Sequence, residues 1–99
     1  MAGFVQIIEF ESSRVDEIRA LGEEAEAQNE QGGTVRRVTV VADRDRPNHY
    51  STIVEFDSYE AAMQNNDRPE TAEFAAKMQK LTDGPPTFRN LDVVHHWEG

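Results

Sequence analysis

The side chains best suited to proton transfer near neutral pH are the three histidines, His49, His95 and His96, because imidazole titrates close to that range and also ligates metals. His95 and His96 are neighbours and point to opposite faces of an extended segment, so they do not share one metal ion. Of the three, His95 is the best functional candidate, because alternation places it with Leu91, Val93 and Trp97. A structural, surface or interfacial role is the favoured reading for each. Glu9 and Glu55 form a second constellation: on adjacent strands, two carboxylates in a low-dielectric site would push their pKa values apart and suit acid/base work. The simpler reading, again favoured, is that each pairs with Arg36, Arg37 or Arg89 and fixes register. Third is a set of residues that suits binding more than chemistry. Tyr50 offers a phenol and Asn66 an amide that both donates and accepts. Phe74, Met78 and Phe88 would supply an apolar lining. At helical spacing Phe74 and Met78 also suit an ordinary core.

The elements that must position these groups follow from periodicity. Phe4–Phe10 (FVQIIEF) is rich in aromatic and β-branched residues, with polar Gln6 and Glu9 on opposite faces, and reads as a central strand. Ser12 and Ser13 offer a cap to a helix carrying Val15, Ile18, Leu21 and Ala25 on one face, ending near Gly32-Gly33. Its acidic residues Glu23, Glu24, Glu26 and Glu30 read as a solvated surface. Thr34–Ala42 and His49–Phe56 are two further strands, joined by the polar loop Asp43–Asn48. Asp57 with Glu60, and Asp67 with Glu70, are capping-box spacings on either side of a break at Pro69, so the second helical region is expected to be split. Gly84-Pro85-Pro86 ends it, and Phe88–Trp97 reads as a last strand.

The order βαββαβ, with short right-handed connections, predicts an α+β ferredoxin-like domain over residues 1–99: a four-stranded antiparallel sheet, strands one and three central, helices on one face. A chain of 99 residues has room for one core only. Strands one and three are apolar on both faces. The helix-free face is therefore expected to be covered by a second copy, giving a homodimeric α/β barrel.

Composition narrows the partners. Ten Lys and Arg against 19 Asp and Glu give a net charge of −9, which disfavours nucleic acid and anionic membranes. No apolar run reaches the roughly 20 residues of a spanning helix, and the start Met1-Ala2-Gly3-Phe4 lacks a basic region followed by an apolar stretch, so a cytoplasmic location is expected. Without cysteine there is no disulfide, thiolate nucleophile or sulfur ligand.

The stretch Ile53-Val54-Glu55-Phe56-Asp57-Ser58-Tyr59-Glu60-Ala61-Ala62, followed by Pro69 and Phe74, resembles the strand-to-helix junction and broken second helix of the antibiotic biosynthesis monooxygenase type of dimeric α/β barrel. The resemblance covers nearly the whole chain in element order. It implies a small monooxygenase-like enzyme, cofactor-independent, acting on a hydrophobic aromatic or polyketide-like molecule. In that reading Tyr50, Asn66 and His95 orient the substrate and stabilise its enolate, while Phe74, Met78, Phe88 and Trp97 bind it. This chain departs from the family where some members carry histidines in the second helical region, since Asn65 and Glu70 stand at those places. That departure favours an alternative, a non-catalytic small-ligand-binding or stress-response dimer. A haem-binding or haem-degrading protein is a third reading, although no clear equivalent of a haem-ligating histidine is present.

Overall fold

The computed structural model describes residues 3–99, so the reading made on Met1 and Ala2 lies outside it. The elements are β1 (Phe4–Glu11), α1 (Val15–Asn29), β2 (Val35–Ala42), β3 (His49–Phe56), α2 (Tyr59–Asn66), α3 (Pro69–Leu81) and β4 (Thr87–Asp92). The four strands form one antiparallel sheet in the order β2-β3-β1-β4. The first and third strands are central, as their two-sided apolar character requires.

Phe4 opposes Phe56, Gln6 opposes Val54, Ile8 opposes Thr52 and Phe10 opposes Tyr50. Since opposed residues share a face, these eight side chains line one side of the sheet. That side is the helical one: Phe4 meets Tyr59 of α2 edge-on at 5.5 Å, and Phe4, Phe56 and Ala62 form the buried core with Val35, Val54, Ala61 and Met63 packed around it. The other side carries Val5, Ile7, Glu9 and Glu11 of β1 with Glu55, Ile53, Ser51 and His49 of β3.

Helix ends are fixed locally. Ser58, not Asp57, caps α2, its hydroxyl accepting the Ala61 N–H at 3.1 Å. Asp57 sits one residue earlier and binds Arg36 instead, at 2.8 Å. Pro69 occupies the first turn of α3, where its missing N–H costs nothing, and α2 stops before it. Arg68 ties this break to the end of α1: its guanidinium donates to the Gln28 carbonyl at 3.3 Å and pairs with Glu70 at 2.7 Å. Gly32 takes a φ of 101° after α1, the left-handed geometry that glycine accommodates.

Two further expectations are corrected. Ser12 does not cap α1. It is fully buried, donates to the Leu81 carbonyl at 2.6 Å and accepts the Arg14 N–H at 2.9 Å, joining the β1–α1 turn to the last residue of α3. The final strand stops at Asp92, not Trp97, because its partner β1 begins at Phe4, which opposes Asp92. For Glu9 and Glu55 the favoured reading holds: register sets Glu55 opposite Val5 and Glu9 opposite Ser51, roughly 13 Å apart along the strands, and each meets an arginine, Arg37 for Glu55 and Arg89 for Glu9.

Among the described residues, no helix is long and apolar enough to cross a membrane.

Candidate active site

Between its two ends, the helix-facing side of the sheet is incompletely covered. One end is filled by the Phe4, Phe56 and Ala62 core. At the other, Phe10 is buried and stacks on Tyr50 with ring centroids 5.6 Å apart. In between, Gln6, Ile8, Thr52 and Val54 are only half-buried, and on the flanking strands Val38, Val40 and Phe88 are 44%, 47% and 64% exposed. Register places all seven on this side, because Val38 opposes Val54, Val40 opposes Thr52 and Phe88 opposes Ile8. The helix layer explains the gap. α3 contributes no fully buried side chain; Phe74 and Met78 are half-buried, and Phe74 lines a narrow groove against Leu21 and Ala25 of α1. α3 therefore leans on α1 more than on the sheet, as its break from α2 permits. The site that results is an apolar floor under a loosely seated helix.

Its polar equipment includes a pair that the sequence reading passed over. The Gln6 side-chain amide donates to the Asn90 side-chain oxygen Oδ1 at 3.2 Å, bridging β1 and β4 on the helix-facing side. Gln6 was visible as the one polar residue on that face of FVQIIEF. Asn90 carried no signal until register set it opposite. The second lone pair of that oxygen and the remaining amide hydrogens leave the pair able to bind a ligand.

The residues singled out from sequence are dispersed. Tyr50 lies on the helix-facing side at the Phe10 end. Asn66 is the last residue of α2, exposed, its amide toward the Met63 sulfur at 3.9 Å. His95 and Trp97 stand beyond β4 in an irregular segment, both exposed, Trp97 to 78%. That segment leaves the sheet at the Phe4 end, about 20 Å along the strands from Tyr50. Among the described residues, Tyr50, Asn66 and His95 share no hydrogen bond with one another.

The ionisable groups are engaged at the surface. Arg89 reaches Glu9 at 3.3 Å, Arg37 reaches Glu55 at 3.6 Å, and His96 meets Glu98 at 3.1 Å. Arg36 hydrogen-bonds Asp57 and holds its carboxyl below the usual range; the Asp45 N–H, then Arg46, do the same for Asp43. A carboxylate lowered in the folded state stabilises the fold above its unfolded pKa, and that contribution is lost as pH falls through the folded value. Stability is thus expected to fall more steeply below about pH 4 than above it. Urea midpoints at about pH 5 and about pH 3 should differ less for Asp43→Asn/Asp57→Asn than for the parent; an unchanged difference would rule these groups out. Among the described residues, no group of three or more His, Cys, Asp or Glu is placed to hold a metal ion.

Comparison with known proteins agrees with this architecture. No family model matches the chain, and no curated protein does. Solved structures do. SnoaB from Streptomyces nogalater, described as a cofactor-independent oxygenase, superposes with a TM-score of 0.80 at 14% identity, covering 97% of each chain. An antibiotic biosynthesis monooxygenase gives 0.73 at 15% identity, covering 93% of this chain and 99% of that one. Rv0793 from Mycobacterium tuberculosis gives 0.78 at 14% identity, covering 98% and 100%. At these identities the likeness concerns the fold. The chain has the ferredoxin-like α+β fold of the antibiotic biosynthesis monooxygenase type, over nearly its whole length.

Proposed function

We propose that this chain is a small monooxygenase-type enzyme that works without a cofactor on a hydrophobic aromatic or polyketide-like molecule held between helices and sheet. The observation that carries the proposal is the half-open apolar floor of Ile8, Val54, Val38, Val40 and Phe88 beneath a helix that buries none of its side chains fully. A fold of this size does not leave such a floor uncovered without cost. A flat apolar ligand would cover it, and the oxygenase activity described for SnoaB makes an oxidisable ring system the class to test first. In the reaction proposed, an acidic ring methylene loses a proton and its carbanion reduces oxygen. One oxygen atom becomes the ring carbonyl, and the other leaves as water with the two methylene hydrogens. The substrate supplies the electrons, so the protein need only bind it and stabilise its anion. Tyr50 and Asn66, together with the Gln6–Asn90 pair, are the hydrogen-bonding groups proposed for that task; Phe74, Met78 and Phe88 line the site. His95 and Trp97 stand at the other end of the sheet and take no part in this reading.

The helix-free side is proposed to pair with a second copy. There Val5, Ile7 and Ile53 are half-buried, Val41 and Leu91 are each 42% exposed, and the ion pairs of Glu9 and Glu55 flank them.

Incubating the protein with an anthrone under air tests the enzyme reading. Oxygen uptake and quinone above a denatured control are expected, and Ile8→Trp, which fills the floor, should abolish both. Saturable anthrone binding without turnover would instead select a non-catalytic ligand-binding protein, which the dispersal of Tyr50, Asn66 and His95 favours. Neither binding nor turnover would remove both readings, and a haemin spectrum altered by the protein would point to haem.

A further inference from the structure

β2 is an outer strand, with β3 on one side. Its pairing with β3 is continuous from Arg37 to Ala42, and the Asp43 N–H donates to the His49 carbonyl at 2.9 Å. In an antiparallel ladder, alternate residues direct both backbone groups to the same neighbour. Arg37, Thr39, Val41 and Asp43 therefore face β3, while the N–H and C=O groups of Val38, Val40 and Ala42 face outward. An edge of this kind is normally guarded by charge, proline or a bulge. Both ends of β2 are. A bulge at Arg36 interrupts the register between Val35 and Arg37, with Arg36 drawn off to Asp57 at 2.7 Å, and the charged loop starting at Asp43 closes the other end. The stretch between is Val38-Thr39-Val40-Val41-Ala42, without a charge or a proline, and its valines are 42–47% exposed.

We propose that this edge pairs antiparallel with β2 of a second copy, centred on Val40. The outward-facing residues are disposed symmetrically about Val40, so a two-fold axis there lets Val40 exchange both its hydrogen bonds with its own counterpart. On either side, Val38 does the same with Ala42. Charge selects the same register. Arg37 then lies opposite Asp43 of the second copy, on the same side of the sheet, and the two-fold axis forms that pair twice. Centring on Thr39 would set Arg37 against Val41, and centring on Val41 would set Val38 against Arg44. Only the Val40 register satisfies the strand's backbone and its terminal charges together. Edge pairing and burial of the helix-free side use different atoms, so this inference does not rest on the one above and the two can fail separately.

The chain has no cysteine, so a single introduced thiol reports on self-pairing. In the proposed register two Val40→Cys chains bring their Cα atoms to about 5.5 Å, within disulfide range, whereas Val38→Cys or Ala42→Cys thiols are held about 13 Å apart along the strands. Mild oxidation should yield covalent dimer at least about tenfold faster from Val40→Cys than from either neighbour. Equal rates at the three positions, or no dimer from Val40→Cys, would overturn the proposal. Adding Arg37→Asp to Val40→Cys should slow cross-linking, and adding Asp43→Arg as well should restore it. A double charge exchange that remains slow would overturn the register even if the edge pairs. Sedimentation of Arg37→Asp and of Arg37→Asp/Asp43→Arg, without the cysteine, gives a second reading. Self-association lowered by the first and restored by the second is expected, and identical behaviour of both and the parent counts against the pairing.

Discussion

Phe56→Ala is expected to cost about 3–5 kcal/mol of stability, the range for deleting a fully enclosed aromatic side chain. Phe56 has no exposed surface. Its ring lies 6.5 Å from that of Phe4, and both belong to the cluster that includes Ala62 of α2. Two strands and a helix meet on these side chains, so the gap left by alanine has no flexible wall to collapse into. For a domain of this length, total stability is of order 5–15 kcal/mol, and each kcal/mol moves Tm by roughly 4–8 °C. Thermal unfolding followed by circular dichroism should therefore show a Tm lower by more than about ten degrees, or no cooperative transition. Tyr59→Ala is the control: Tyr59 touches the same Phe4 ring but is 53% exposed, and its loss should matter much less. A Phe56→Ala chain as stable as Tyr59→Ala would show that the core lies elsewhere.

The second large effect is expected at Ser12. The hydroxyl serves two backbone groups at once, the Leu81 carbonyl and the Arg14 N–H, and among the described residues no other side chain donates to the former. Leu81 ends α3, where carbonyls lack helical partners. Ser12→Ala removes the bridge at a position where the side chain has no exposed surface, at a cost of about 1–3 kcal/mol. Ser13→Ala, one residue along and exposed, should change stability by less than about 0.5 kcal/mol. Hydrogen exchange gives a sharper readout than the melting curve. The Asp83 N–H, bonded to the Glu11 carbonyl at 2.8 Å beside the bridge, should lose protection in Ser12→Ala, and retained protection would mean that α3 is anchored by other contacts.

These two residues show what could be read from sequence. Phe56 was legible because it ends an alternating apolar strand, a signal that depends only on neighbours in the chain. The same local patterns yielded the element order, the central strands and the break before Pro69. Ser12 was legible as a polar residue before a helix and was assigned the commonest role for such a residue. Its actual partner is 69 positions away. Glu9 and Glu55 repeat the lesson: both strands were found, yet their separation is a property of register, which two strands acquire only together. β4 is a case of the opposite kind, since the apolar alternation of FRNLDVVHHW continues to Trp97 while the strand beside it does not. The candidate site was the least legible part for the same reason. Tyr50 and His95 were separately plausible, and only the pairing of β1 with its two neighbours sets them at opposite ends of the sheet. Gln6 and Asn90, 84 residues apart, became a pair only through it.

Trp97 is the chain's sole tryptophan, and it is 78% exposed on the segment after β4. Its fluorescence is therefore an optical label for the C-terminal segment. Emission should register when that segment meets another surface, while the collapse or melting of the sheet passes almost unseen in the same signal.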